Sequence, residues 1–167
     1  MPPINAPTVE RQGKLWRLTM SQWLARPPAE LFTFFGDALN LGEITPDTLH
    51  FKVLTPTPIE MRPGTLIDYK LKVRGVPIRW TTEITAWDPP YSFCDTQLRG
   101  PYRQWVHTHT FTEENGGTRC DDVVDYAPPG GPLAPLINRL VVQRDVERIF
   151  AYRAEVLAKR FGSEHEA

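Results

Sequence analysis

The residues in this chain best suited to chemistry are His107 and His109. They lie on a stretch that runs Gly100-Pro101-Tyr102-Arg103-Gln104-Trp105-Val106-His107-Thr108-His109-Thr110-Phe111. Read with the period of two of an extended strand, Arg103, Trp105, His107, His109 and Phe111 point one way, and Gln104, Val106, Thr108 and Thr110 the other. Asp122 falls inward on the strand that follows. A carboxylate that orients a neutral imidazole sets up a general base near pH 7, so His107, His109 and Asp122 form a candidate acid/base set. Two other readings use the same atoms: the polar groups satisfy one another and stiffen the sheet, or they hydrogen-bond a ligand. His-x-His with a carboxylate also matches a facial metal triad in residue type. No third ligand stands at a motif spacing, however, and no metal is expected.

Around this set the aromatic residues Tyr69, Trp80, Phe93, Trp105, Phe111 and Tyr126 are expected to face inward, together with Asp95 and Gln97. Ordinary core packing explains such residues unless they surround a void. An apolar void with a few convergent polar groups is instead the usual form of a small-molecule site. Arg103 either meets a carboxylate on that molecule or pairs at the surface with Glu83 or Asp121. Cys120 reads as a small buried hydrophobe and Cys94 as a plain sheet residue, neither beside an activating base.

The elements that position these residues follow from periodicity and turn punctuation. Residues 15–24 alternate, with Trp16, Leu18, Met20 and Leu24 on one face of a strand. Pro27-Pro28 opens a helix with Leu31, Phe34 and Phe35 on its apolar stripe, closed by Gly36-Asp37. A second short helix covers residues 40–44. Strands are expected at Phe51–Val53, residues 65–74, 78–87 and 93–97, the stretch described above, and residues 118–126. Asp68, Lys70, Lys72 and Arg74 form a solvated face, opposite Ile67, Tyr69, Leu71 and Val73. Gly75-Val76-Pro77 is expected to turn the chain, and Asn115-Gly116-Gly117 signals a hairpin. Residues 132–161 form the longest helical pattern, capped by Gly162. Its stripe changes direction, from Leu133, Leu136, Ile137 and Leu140 to Val146, Phe150, Leu157 and Phe161. The helix therefore bends near Val142-Gln143 or divides in two, and a mobile first half would make a lid.

The layout is α+β: a curved antiparallel sheet of about seven strands wrapped on a long C-terminal helix, with two short helices between strands one and two. A closed lipocalin-like barrel fits less well, because it does not place helices there. One domain is expected over residues 14–162, between an N-terminal tail (residues 1–13) and a C-terminal tail (163–167).

Composition bounds the partners. The chain has 167 residues, long enough for one sizeable core, and a formal net charge of −1. That leaves no basic field for nucleic acid or an anionic membrane. No apolar run approaches the ~20 residues of a membrane helix, and the start lacks the basic and apolar regions of a secretory signal. Two cysteines make no disulfide framework. A cytoplasmic protein is expected, monomeric or homodimeric, with no cofactor.

Several phrases resemble the START / SRPBCC superfamily of helix-grip proteins, and within it the small bacterial ligand-binding group. They are Pro27-Pro28-Ala29-Glu30-Leu31-Phe32, Asn40-Leu41, Arg79-Trp80, Trp87-Asp88-Pro89-Pro90, Gly100-Pro101-Tyr102 with Trp105 and His107-Thr108-His109, and Gly117-Thr118-Arg119. The resemblance covers residues 15–161 and implies a deep cavity between sheet and last helix. The superfamily includes lipid carriers, receptors, cyclases and co-chaperones, so the fold alone leaves function open.

Three functions are then weighed. The first is the binding of a hydrophobic molecule (lipid-, polyketide- or aromatic-like), held by Tyr69, Trp80, Phe93, Gln97, Trp105, His107, His109, Phe111, Asp122 and Tyr126. The second is a cyclase or dehydratase in which His107 or His109, with Asp122, acts as general acid/base. The third is an interaction protein using the outer sheet face, whose charged alternation argues instead for solubility.

Overall fold

Strand alternation and tight turns build one curved sheet in the computed structural model, which describes residues 6–163. Its first strand, β1 (Thr8–Gln12), is followed by β2 (Leu15–Leu24) and a short helix, α1 (Pro28–Phe35). Single 3₁₀ turns at Ala38–Gly42 and Asp47–Leu49 lead to β3 (Lys52–Val53). Then come β4 (Leu66–Val73), β5 (Val76–Asp88), β6 (Ser92–Arg99), β7 (Gln104–Glu114) and β8 (Gly117–Ala127). The spatial order is β1-β2-β8-β7-β6-β5-β4-β3, antiparallel throughout, with β1 and β3 at the edges.

Among the described residues the sheet has eight strands, not seven. The extra one is β1, which corrects the expectation of a loose tail over residues 1–13. Gly13, at φ 63°, turns the chain so that Thr8–Gln12 pairs with Leu15–Thr19. Arg11 also caps the Trp16 ring at 5.4 Å. Residues 1–5 of the expected tail, and 164–167 of the C-terminal one, lie outside the described residues.

Tight turns fix the register. Asn115 and Gly116, both at positive φ, close the β7–β8 hairpin as the sequence signal requires. The β4–β5 hairpin turns one residue earlier than expected, on Arg74 and Gly75, so Val76 and Pro77 already belong to β5. Between β5 and β6 the register slips twice, at Thr81/Thr82 and at Ile84/Ala86. Such bulges bend a strand and re-aim its side chains, which helps curve the sheet around a hollow.

The inner face divides into three apolar clusters. Trp16, Leu18, Met20, Val124 and Tyr126 meet Val146, Phe150 and Ala154 of the last helix. Leu24, Phe93, Phe111 and Cys120 meet Leu31, Phe32 and Phe34 of α1, with Leu157 and Phe161. Ala38, Ile67, Tyr69 and Ile84 form the third, toward β3. A side chain buried as fully as Phe150 or Leu18 contributes about 1.5–3 kcal/mol.

The C-terminal helix is one run with a defect where the bend was expected. A 3₁₀ turn (Gly131–Leu133) leads into α2 (Ala134–Ile137), a π turn (Asn138–Val142) and α3 (Gln143–Phe161). Inserted residues of this kind bend helices. The π turn is anchored by the Tyr126 hydroxyl, which donates to Asn138 Oδ1 at 2.8 Å. Of the first-half stripe, only Ile137 turns inward; Leu133, Leu136 and Leu140 are exposed. No described helix is long and apolar enough to cross a membrane.

Candidate functional site

The site forms where β6, β7 and β8 lie side by side. In register, Asp95 stands opposite His107, and Asp122 opposite His109. The hydrogen bonds run diagonally instead. His107 Nε2 lies 2.7 Å from Asp122 Oδ1, and His109 Nε2 lies 2.7 Å from Asp95 Oδ2. The return distances are longer, 3.2 Å from His109 Nδ1 to Asp122 and 3.8 Å from His107 Nδ1 to Asp95. His109 Nδ1 is buried and, among the described residues, makes no hydrogen bond, although Asp122 Oδ1 lies 3.2 Å away. The two imidazoles nearly stack, with centroids 3.7 Å apart, and Phe93 stacks on His109 at 4.1 Å.

Burial and pairing push the four groups in different directions. Burial opposes ionisation of Asp122, but the His107 hydrogen bond and the adjacent His109 ring outweigh it and hold the carboxyl below its usual range. Burial likewise opposes ionisation of Asp95, and the His107 ring and the His109 hydrogen bond outweigh it. His107 is lowered, because burial and the neighbouring His109 exceed the pull of both carboxylates. His109 is raised: burial alone would lower it, but it lies between Asp122 and Asp95. Ionised carboxylates only accept, so each Nε2 donates. His107 is then the neutral ring, with its lone pair on Nδ1.

Asp95, His107 and His109 line a cavity of about 790 Å³ between the sheet and the helices. Its sheet wall includes Ile67, Tyr69, Trp80, Thr82, Ile84, Phe93 and Trp105; its helix wall includes Phe34, Phe35, Val146, Ile149 and Phe150. Tyr102, Trp80 and Trp105 pack at 4.7–5.7 Å between centroids to make an aromatic corner. At the β4–β5 turn, the guanidinium of Arg74 forms two hydrogen bonds to Asp145 of α3, at 2.9 and 3.1 Å, and both residues line the cavity.

Of the ten side chains expected to line a site, six border this cavity: Tyr69, Trp80, Phe93, Trp105, His107 and His109. The other four share the inner face but not the hollow. Gln97 is bound to the Tyr102 backbone through both amide atoms, at 2.8 and 3.3 Å. Phe111 is packed among Phe32, Phe35 and Phe93. Asp122 sits behind the imidazoles, and Tyr126 is held by Asn138. Arg103 precedes β7 and is exposed; among the described residues it has no ion pair with Glu83 or Asp121. Asp121 instead accepts from Ser21 and Arg119. Cys94 and Cys120 are free, and burial pushes the Cys120 thiol up. Asp95, His107 and His109 hold their ligand atoms within 4.8 Å of one another, as a metal triad could. Asp95 and His109 are already hydrogen-bonded to each other at 2.7 Å.

Among the cavity residues that were not anticipated are Tyr102 and Arg153. A signal for Arg153 exists: at positions 146, 150, 153, 157 and 161 the α3 stripe is apolar except for this one cation.

A sheet gripped by a terminal helix around a hollow is the helix-grip architecture, and the family match agrees. The model for "Polyketide cyclase / dehydrase and lipid transport" covers residues 24–151, so the chain belongs to that family, within the SRPBCC superfamily. Protein Ms6760 from Mycobacterium smegmatis is similar in structure, with a TM-score of 0.67 at 24% identity over 92% of this chain and 96% of that one. The Zhui aromatase/cyclase from Streptomyces sp. R1128 matches with a TM-score of 0.62 at 15% identity, over 87% and 96%. Major latex-like protein 151 from Panax ginseng matches with a TM-score of 0.56 at 17% identity, over 81% and 97%. At these identities the likeness is one of fold. No curated protein matches the sequence.

Proposed function

We propose that this protein encloses an apolar small molecule between its sheet and its C-terminal helix. The observation that carries the reading is the cavity itself, about 790 Å³, walled by aromatic and aliphatic side chains around a few buried polar groups. The family, whose description includes lipid transport, supports it. The free Cys94 and Cys120 suit a cytoplasmic setting. Native mass spectrometry of protein purified gently from its source tests the reading: a retained apolar molecule is expected. Protein that stays empty and binds no member of an apolar panel refutes it.

A second reading, a cyclase or dehydratase, is favoured by one observation. His107 lines the cavity as a neutral imidazole whose Nε2–H is engaged by Asp122, leaving Nδ1 as an acceptor. A base so placed removes a proton from a carbon beside a carbonyl. Turnover of a polyketide-like substrate that disappears in His107→Ala while binding persists selects this reading; unchanged turnover in that variant excludes it.

A further inference from the structure

Arg153 stands inside the apolar stripe of α3, three residues after Phe150 and four before Leu157, and is only 7% exposed. It borders the cavity. Among the described residues its guanidinium has no hydrogen bond or ion pair, and its buried Nε is unsatisfied. The guanidinium lies over the face of Phe150, 4.8 Å from the ring centroid. Asp95 and Asp122 act on it only through space, and both carboxylates are engaged by the histidines. A buried guanidinium without a partner is among the costliest arrangements a core can hold, since neither water nor an anion repays its desolvation.

The cavity's charges favour an anion as the missing partner. Its lining includes Arg74, Arg148 and Arg153 against Asp95 and Asp145. Arg74 and Asp145 neutralise each other at the rim, and Asp95 is tied to His109. Arg153 is thus a buried lining cation without a partner of its own. Its planar fork matches a carboxylate through two parallel hydrogen bonds, and the low dielectric around Phe150, Val146 and Ile149 strengthens the pair. An aliphatic or aromatic body would then lie against Trp80, Trp105 and Tyr69.

Building on the ligand-holding reading above, we propose that the occupant is an amphipathic carboxylic acid whose carboxylate pairs with Arg153. The proposal names the head of the molecule by its chemistry; the cavity admits an aliphatic or an aromatic tail.

Matched probes test it. Isothermal titration calorimetry of the intact protein at pH 7.5 compares decanoate with 1-decanol, and 2-naphthylacetate with 2-(2-naphthyl)ethanol. Each acid is expected to bind at least about tenfold more tightly than its alcohol, the ratio one charged hydrogen-bonded contact supports. In Arg153→Met that ratio should fall to about one, with alcohol binding retained. Acids no tighter than alcohols, or a preference that survives Arg153→Met, overturn the carboxylate assignment and leave the ligand-holding reading standing. Failure of all four probes to bind, with source-purified protein also empty, overturns both. The comparison on the native protein needs no variant, so a poorly folding Arg153→Met leaves it decisive.

Discussion

Asp122 faces His109 across the β7–β8 ladder, yet it accepts the hydrogen bond of His107, one pair along, at 2.7 Å. Asp95 does the reverse, facing His107 and bonding His109. The crossing ties three strands into one polar unit in which neither histidine can be changed without stranding a carboxylate. Both carboxylates are engaged by the imidazoles, and Arg153 acts on them only through space.

Asp122→Asn therefore lowers the pKa of both imidazoles, since it removes a negative charge that raises each of them. Histidine titrations followed by NMR should show both resonances moving to lower pH. Breaking a buried pair from one side also costs about 3–5 kcal/mol, readable by urea unfolding at pH 7. Histidine pKa values identical to those of the native protein rule the arrangement out.

Stability should fall on both sides of neutrality, for separate reasons. Asp95 and Asp122 are depressed, so their contribution is complete above the ordinary aspartate pKa of about 3.9 and is lost as pH falls through their folded values. His107 is also depressed, so below about pH 6.5 the unfolded chain takes up a proton that the folded chain refuses, and stability declines further. His109 is raised, so its contribution is present below about pH 6.5 and lost as pH rises through its folded value. Urea unfolding from pH 3 to 9 should show both limbs, and His109→Gln should flatten the alkaline one. An alkaline limb unchanged in that variant disproves the assignment.

Tryptophan emission should report occupancy. Trp80 and Trp105 line the cavity, whereas Trp16 is packed in the core beneath Val146 and Phe150. An apolar ligand should change the fluorescence, and the double variant Trp80→Phe/Trp105→Phe should lose most of that change. A full-sized response in the double variant would place the ligand elsewhere.

The Arg74–Asp145 pair at the cavity rim is half-exposed, with side chains 59% and 24% accessible. Such pairs contribute about 0–1 kcal/mol, so Asp145→Asn should leave the melting temperature nearly unchanged. Because the pair bridges the β4–β5 turn and α3, stopped-flow displacement of a bound fluorescent ligand should nonetheless speed up. An unaltered release rate would show that exchange takes another route.

Most of the fold is legible in the sequence because burial imposes a period of two on β2, β4 and β5, and because Gly75 and Asn115-Gly116 punctuate the hairpins. The edge strand β1 escapes that logic: of its five residues only Val9 is even half-buried, so no pattern is imposed. The candidate site is half legible for a related reason. Parity says which face a side chain takes but not how deep along the strand the hollow runs. Phe93 and Gln97 share a face, and only Phe93 reaches the cavity. Arg153 is hidden differently, since a search for apolar stripes passes over the one cation within them.

The π turn has a mechanical corollary. One surplus residue between positions 138 and 142 shifts helical phase by about 100°. Downstream, α3 is pinned to β2 and the chain just after it, by Gln22 Nε2 on the Ala154 carbonyl and by the Ala25 amide on the Gly162 carbonyl. Removing that residue therefore cannot easily swing α3. The twist is discharged upstream, where Ile137 borders the cavity and Leu133, Leu136 and Leu140 face outward. A single deletion there would rotate a greasy flap and leave the Arg153 wall where it stands.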